Sequence, residues 1–185
     1  MANLMRCKAC GYILEEGKIG EVCPACGLPR TVFEQYQDPV SAKRRFLVDL
    51  HLHPIAVHFP QALATLIPLL MLAGWILESS LAIEVLSTAR ILGILLPLTV
   101  LGALAAGLLD AKTRFKKLST PLLVKKIALG SLLLVFSVAI SVLMLLPDLG
   151  QWAVYVVVGL SIACIGCEVL LGKIGSGLMY AFLRG

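Results

Sequence analysis

The sequence predicts a small metal-knuckle domain followed by an all-α four-helix transmembrane bundle. Two Cys-x-x-Cys pairs, Cys7/Cys10 and Cys23/Cys26, crowd the first 26 residues. Four long apolar stretches come after them. Basic residues recur before, between and after those stretches on one set of alternating segments.

The apolar excess is uneven. Of 185 residues, 59% are hydrophobic and 15% charged, against about 45–50% and about 25% in an ordinary soluble domain. Residues 1–50 are polar and charged, and nearly everything after Pro54 is apolar. The expected organisation is a metal domain over residues 1–36, a linker and interfacial helix over 37–52, a four-span bundle over 53–172, and an interfacial tail over 173–185.

A helix needs about 20 apolar residues to cross the hydrocarbon core. The stretches that qualify are Ile55–Leu77, Ile91–Leu109, Leu122–Leu146 and Trp152–Leu171. They must be helical, because open strands would leave backbone groups unpaired in lipid. Lys43, Arg44 and Arg45 precede the first span. Lys112, Arg114, Lys116, Lys117, Lys125 and Lys126 lie around the second loop, and Lys173 and Arg184 in the tail. The other two loops carry mainly Glu78, Glu84 and Asp148, with Arg90 the lone cation. The positive-inside rule then puts both termini on the cytoplasmic side of an inner membrane. This asymmetry accounts for the net charge of +5 and requires no nucleic-acid partner. Asp38-Pro39-Val40-Ser41 is a helix-start signal, and residues 42–50 suit the membrane surface with Phe46, Leu47 and Leu50 dipping in.

The knuckles carry the chemistry. Each short turn aims two sulfurs at one ion, and Gly11 and Gly27 follow the second cysteine of each pair, where a positive φ suits glycine. Tetrahedral four-sulfur sites hold iron or zinc, and the spacing fits both. The run Met5-Arg6-Cys7-Lys8-Ala9-Cys10-Gly11-Tyr12, the twelve residues between Cys10 and Cys23, the run Cys23-Pro24-Ala25-Cys26, and Pro29, Phe33 and Glu34 after it resemble the rubredoxin-like domain of rubrerythrins over residues 4–36. That resemblance implies one iron held by Cys7, Cys10, Cys23 and Cys26 and cycling between ferrous and ferric, with Tyr12 and Phe33 as core aromatics. A zinc ribbon is the alternative.

In the bundle, His53-Pro54-Ile55-Ala56-Val57-His58-Phe59-Pro60 and Gly107-Leu108-Leu109-Asp110 resemble an uncharacterised four-helix membrane family with a His-Pro-x-x-x-His-Phe-Pro signature, over residues 51–146. Helical spacing places His51 and His58 on one face, continued by Gln61 and Thr65. Thr99, Ala103, Ala106 and Asp110 share a face of the second span, and Ser161, Cys164 and Glu168 one of the fourth. Pro60, Pro68 and Pro97 are expected to kink their helices and free carbonyls. His51, His53, His58, Lys125, Glu168 and Asp110 are the candidates for holding quinone or haem b. Glu168 is foremost, since an ionisable group within a span is costly and usually functional. Its bland alternative is pairing with Lys125, Lys126 or Lys173. All three histidines lie on or just before the first span, so one chain does not readily supply both ligands of a bis-His haem, whereas a homodimer or membrane complex would.

The expected function is membrane-bound electron transfer through a rubredoxin-type iron. Single electrons would pass between a cytoplasmic flavoprotein or iron–sulfur protein and the quinone pool, or a haem in the bundle. Nucleotide-binding glycine motifs are absent from the sequence, which points to an electron-transfer subunit of an oxidoreductase complex rather than a complete enzyme. The alternative is a zinc-knuckle membrane scaffold that docks a partner without redox activity.

Overall fold

The computed structural model describes residues 3–37, 41–77, 80–115, 118–147 and 150–179. Asp38, Pro39 and Val40 of the helix-start signal, Glu78, Asp148, Lys116, Lys117 and Arg184 lie outside the described residues. The chain divides into two compact units with the boundary at residues 42–43.

The first unit is a three-stranded antiparallel sheet with its two cysteine turns. Strands β1 (Leu4–Cys7), β2 (Ile13–Glu15) and β3 (Phe33–Tyr36) lie in the order β2-β1-β3. Arg6 stands directly opposite Glu34 across β1 and β3. It bonds the Glu34 carboxylate at 2.7 Å and lies 5.4 Å from the centre of the Tyr36 ring. Such cross-strand pairs set register in strands too short to do so alone. The buried core is Cys7, Ile19, Cys23 and Phe33. Tyr12, expected beside Phe33, is instead 44% exposed; its part in the fold is its carbonyl, which accepts the Cys7 N–H at 2.8 Å.

The second unit is helical. Helices α1 (Ala42–Asp49) and α2 (Leu52–Ala56) lead into α3 (His58–Ile76), α4 (Ser80–Phe115), α5 (Pro121–Met144) and α6 (Gln151–Met179). The last four close a ring, with α3 packed on α4 and α6, and α5 packed on α4 and α6. Four helices are long and apolar enough to cross a membrane. The outward surface is apolar too, with Leu69, Leu98, Val135 and Val169 all more than half exposed; so large a continuous apolar face calls for lipid rather than water. Trp75, Trp152 and Tyr155 are exposed at one end of the ring, and Trp75 meets Tyr155 edge to face at 5.8 Å. Indole and phenol rings favour that depth of a bilayer.

Helix ends depart from the apolar boundaries. The 36 residues of α4 make a rod of about 54 Å, well beyond the roughly 30 Å hydrocarbon core. It therefore contains Glu84, Arg90 and Asp110, which the sequence places in or beside loops. The tail expected from Lys173 begins as two further turns of α6, through Met179. Hydropathy locates the lipid layer, while a helix continues until its backbone is capped. Arginines supply two such caps. Arg44 of α1 donates to the carbonyls of Thr113 (2.6 Å) and Arg114 (2.9 Å) at the end of α4. Arg90 of α4 donates to those of Met144 (2.7 Å) and Leu146 (2.8 Å) at the end of α5. Cations there also complement the negative end of the helix dipole.

The expected shared face of His51 and His58 does not form. His51 has φ 49°, in the left-handed region, between the end of α1 and the start of α2; Val57 separates α2 from α3. Pro54 and Pro60 explain the breaks, because neither ring nitrogen can bond the carbonyl four residues before it. Pro60 thus starts a helix rather than kinking one. Pro68 and Pro97 do lie inside helices, and Ser141 of α5 donates to the Ile94 carbonyl, in the turn before Pro97, at 3.3 Å.

Inside the ring, small residues let backbones approach. A Cβ on Gly93 would stand 2.8 Å from Met144 Cγ, and one on Gly130 would stand 2.6 Å from Leu104 Cδ2.

Candidate metal centre and bundle cavity

The two cysteine turns have one construction. Cys7 N–H bonds the Tyr12 carbonyl (2.8 Å), and Gly11 N–H bonds the Cys7 carbonyl (2.8 Å). Cys23 repeats this with Leu28 (2.7 Å) and Gly27 (2.8 Å). Gly11 (φ 76°) and Gly27 (φ 72°) take the left-handed conformation that closes each turn. All four sulfurs lie within 4.8 Å of one another. Cys7 and Cys26 Sγ are 3.7 Å apart, and Cys10 and Cys23 Sγ are 3.8 Å apart. A tetrahedron with metal–sulfur bonds of about 2.3 Å has edges of about 3.8 Å, so the donor set fits one iron or one zinc ion. Cys7 and Cys23 are buried, whereas Cys10 and Cys26 are exposed.

Neighbouring groups divide the thiols. The Cys10 backbone N–H, with lesser help from Ala9 and the Cys26 sulfur, pulls Cys7 down to about 7. At Cys10 the Tyr12 N–H lowers the value, but desolvation and the Cys7, Cys26 and Cys23 sulfurs outweigh it and push it up to about 12. Cys26 is raised as well: the Leu28 N–H opposes, while desolvation and the Cys23 sulfur prevail. One sulfur ionises readily and others resist, so a full set of thiolates needs a cation among them.

A second site lies in the bundle at the end where α4 and α6 finish. It is a cavity of about 400 Å³ to which every helix from α2 to α6 contributes. Its walls are mainly apolar, from Val100, Leu104, Leu123, Leu133 and Leu171 among others. His53 and His58 line it. His53 Nδ1 is 3.2 Å from the Ala103 carbonyl, and His58 Nδ1 is 2.6 Å from the Pro54 carbonyl. A carbonyl only accepts, so both rings carry hydrogen on Nδ1, and Nε2 of the neutral ring is a bare lone pair. A Cβ on Gly107 would be 3.0 Å from the His53 ring, so a side chain there would crowd that ring. Asp110 is tied to Arg114 at 2.9 Å. Glu168 is 7% exposed, and its Oε1 is buried without a hydrogen-bond partner. The pairing with lysine does not occur among the described residues.

Of the six bundle candidates, the cavity gathers His53, His58, Asp110 and Glu168. His51 is exposed, with its ring on the Asp49 carbonyl at 2.6 Å, and Lys125 is exposed on α5. Lys126, one residue on, lines the cavity instead. Arg114 also lines it; the sequence signal was its position four residues after Asp110, masked by its membership of a basic cluster. Cys164 and Cys167 are core packing residues.

Residues 6–34 match the family model for the rubrerythrin, rubredoxin-like domain. No curated protein and no solved structure matches the chain. The first unit is thus a rubredoxin-like metal-binding domain with a four-cysteine site, and the match does not extend to the helices.

Proposed function

We infer that the protein is a membrane-bound electron carrier, exchanging single electrons between a cytoplasmic redox partner and the membrane quinone pool. The observation that carries this reading is four sulfurs at tetrahedral spacing, in a rubredoxin-like domain, on a chain with four lipid-length helices. Iron bound by Cys7, Cys10, Cys23 and Cys26 would supply one-electron ferrous–ferric cycling. The exposed Cys10 and Cys26 give a partner an approach to the centre, while Cys7 and Cys23 hold it from the buried side. The basic segments favour a cytoplasmic location for the metal domain and both termini. A flavoprotein or iron–sulfur protein is the expected donor or acceptor, since the chain has no nucleotide-binding motif of its own.

The test is a visible spectrum of the detergent-purified protein before and after dithionite, with metal analysis of the same sample. A red band that bleaches, with one iron per chain, is expected. A colourless protein with one zinc per chain, reproduced when expression is iron-replete, would leave a docking scaffold.

A further inference from the structure

We propose that the bundle cavity binds a quinone headgroup, and that His53 and Glu168 are the two groups that exchange its protons; the proposal rests on the carrier reading above. The cavity, about 400 Å³, falls within the roughly 300–1,000 Å³ of small-molecule sites. Its charges do not suit an ion. Asp110 and Arg114 neutralise each other at 2.9 Å, leaving Lys126 and Glu168 with opposite formal signs on a mainly apolar wall whose other polar members are His53, His58, Gln61 and Ser176. The ligand that fits is neutral, with an apolar body and polar atoms at its edges, and dissolves in the lipid around the helices. A quinone has that form, and each of its two oxygens gains a proton when the ring is reduced.

Two polar groups of the lining are available to those oxygens. His53 is fixed by the Ala103 carbonyl and seated on Gly107, which leaves Nε2 as a base. Glu168 is the buried, unpartnered carboxyl; leaving such a group unsatisfied is costly, and a ligand hydroxyl or carbonyl would satisfy it. When quinol is oxidised, its two O–H bonds break. One proton goes to His53 Nε2 and the other to the Glu168 carboxylate. The two electrons leave singly to a one-electron oxidant of the ferric-thiolate class, two of which become ferrous. In the reverse direction the imidazolium and the carboxylic acid return both protons to the quinone. Lys126 and His58 also face this space and complete the set of titratable groups around it with Asp110 and Arg114.

The experiment uses the full chain in detergent and a short-chain naphthoquinone and its quinol. Calorimetric titration measures binding, and stopped-flow bleaching of the ferric band measures electron transfer. One naphthoquinone per chain is expected. Glu168→Gln should slow bleaching by about 10²-fold and flatten its pH profile, with metal content unchanged. Gly107→Ala, which displaces the His53 ring without removing a titratable group, should weaken binding by about tenfold or more. Wild-type rates and pH profile in both variants would overturn the proposal. So would a Soret band in the purified protein that His53→Ala abolishes, because haem would then occupy the cavity. Iron that an iron–sulfur donor reduces, without any naphthoquinone binding, would overturn the proposal and leave the carrier reading intact. Zinc at the cysteines with naphthoquinone still bound would support the cavity assignment and overturn the carrier reading.

Discussion

The metal domain and the helical bundle acquire fixed shapes from different sources. In the first, two of the four core residues, Cys7 and Cys23, are themselves metal ligands, and the strands are three or four residues long. In the second, the core is a layer of side chains including Ala64, Ile67, Leu96, Ile140, Met144 and Val157, all essentially inaccessible. Below about 40 residues a domain seldom buries enough apolar surface to fold alone, so the ion replaces the missing core. The bundle has lipid outside and its own packing inside. The chain therefore joins a unit whose core includes its own metal ligands to one whose core is packed side chains.

Substitutions can break or sharpen that contrast. The largest effect is expected from Cys23→Ser, which removes one ligand and part of the core at once. Apparent metal-binding energies of structural four-ligand sites reach about 10–16 kcal/mol, far more than so small a sheet can replace. The first unit should lose its metal and become protease-sensitive, while the helical circular dichroism of the bundle persists. Loss of both together would refute the independence of the two. A pH series sharpens the same point. Metal must displace thiol protons, so affinity should fall as pH falls. If the turn that brings Cys7 down to about 7 persists without metal, uptake should release about one more proton per ion below that pH than above it, and an unchanged slope would show that the metal-free turn is lost. Chelator competition across pH 6–8 (about one unit either side) reads the change in slope.

Smaller effects belong to the bundle. Gly93→Ala puts a methyl 2.8 Å from Met144 Cγ and should cost about 1–3 kcal/mol by overpacking. Arg90→Met removes the donors to Met144 and Leu146 and should cost about 1–2 kcal/mol. Both are measured by reversible unfolding in mixed micelles, and neither should change metal content. A loss of metal in either variant would show that the two units are coupled. A change of similar size to that of Arg90→Met is expected from Gly27→Ala, about 1–2 kcal/mol of backbone strain at φ 72°, seen as weaker metal retention with bundle stability unchanged.

Much of this contrast was legible from residues alone. The knuckles announce themselves because the requirement is local: two sulfurs three positions apart and a glycine after them. The spans announce themselves because lipid tolerates little else. What escaped depends on backbone caps and helix rotation. The run through Glu84, Arg90 and Asp110 extends α4 because helix ends are set by capping, and Arg90 spends its charge on carbonyls of α5. The break at His51 follows from Pro54 four residues after Leu50, which removed the predicted histidine face. Lys125 and Lys126 differ by one step of about 100° around α5, and that step decides which of them meets the cavity. Glu168 was legible as a buried carboxyl, but its lack of a partner emerges only from three-dimensional packing.

The half-open setting of the sulfurs has a consequence for how the protein acquires its ion. Cys10 and Cys26 face outward while Cys7 and Cys23 are enclosed, so incoming metals and competing chelators meet the same two sulfurs first. Exchange through that side can proceed by replacing two bonds before the inner pair lets go. Thiolate sites do not choose among divalent ions by affinity alone. The ion carried by a mature molecule is then a record of metal supply during synthesis as well as of coordination geometry, and on the proposed carrier reading iron starvation should turn part of the population into a colourless, electron-silent form without unfolding it.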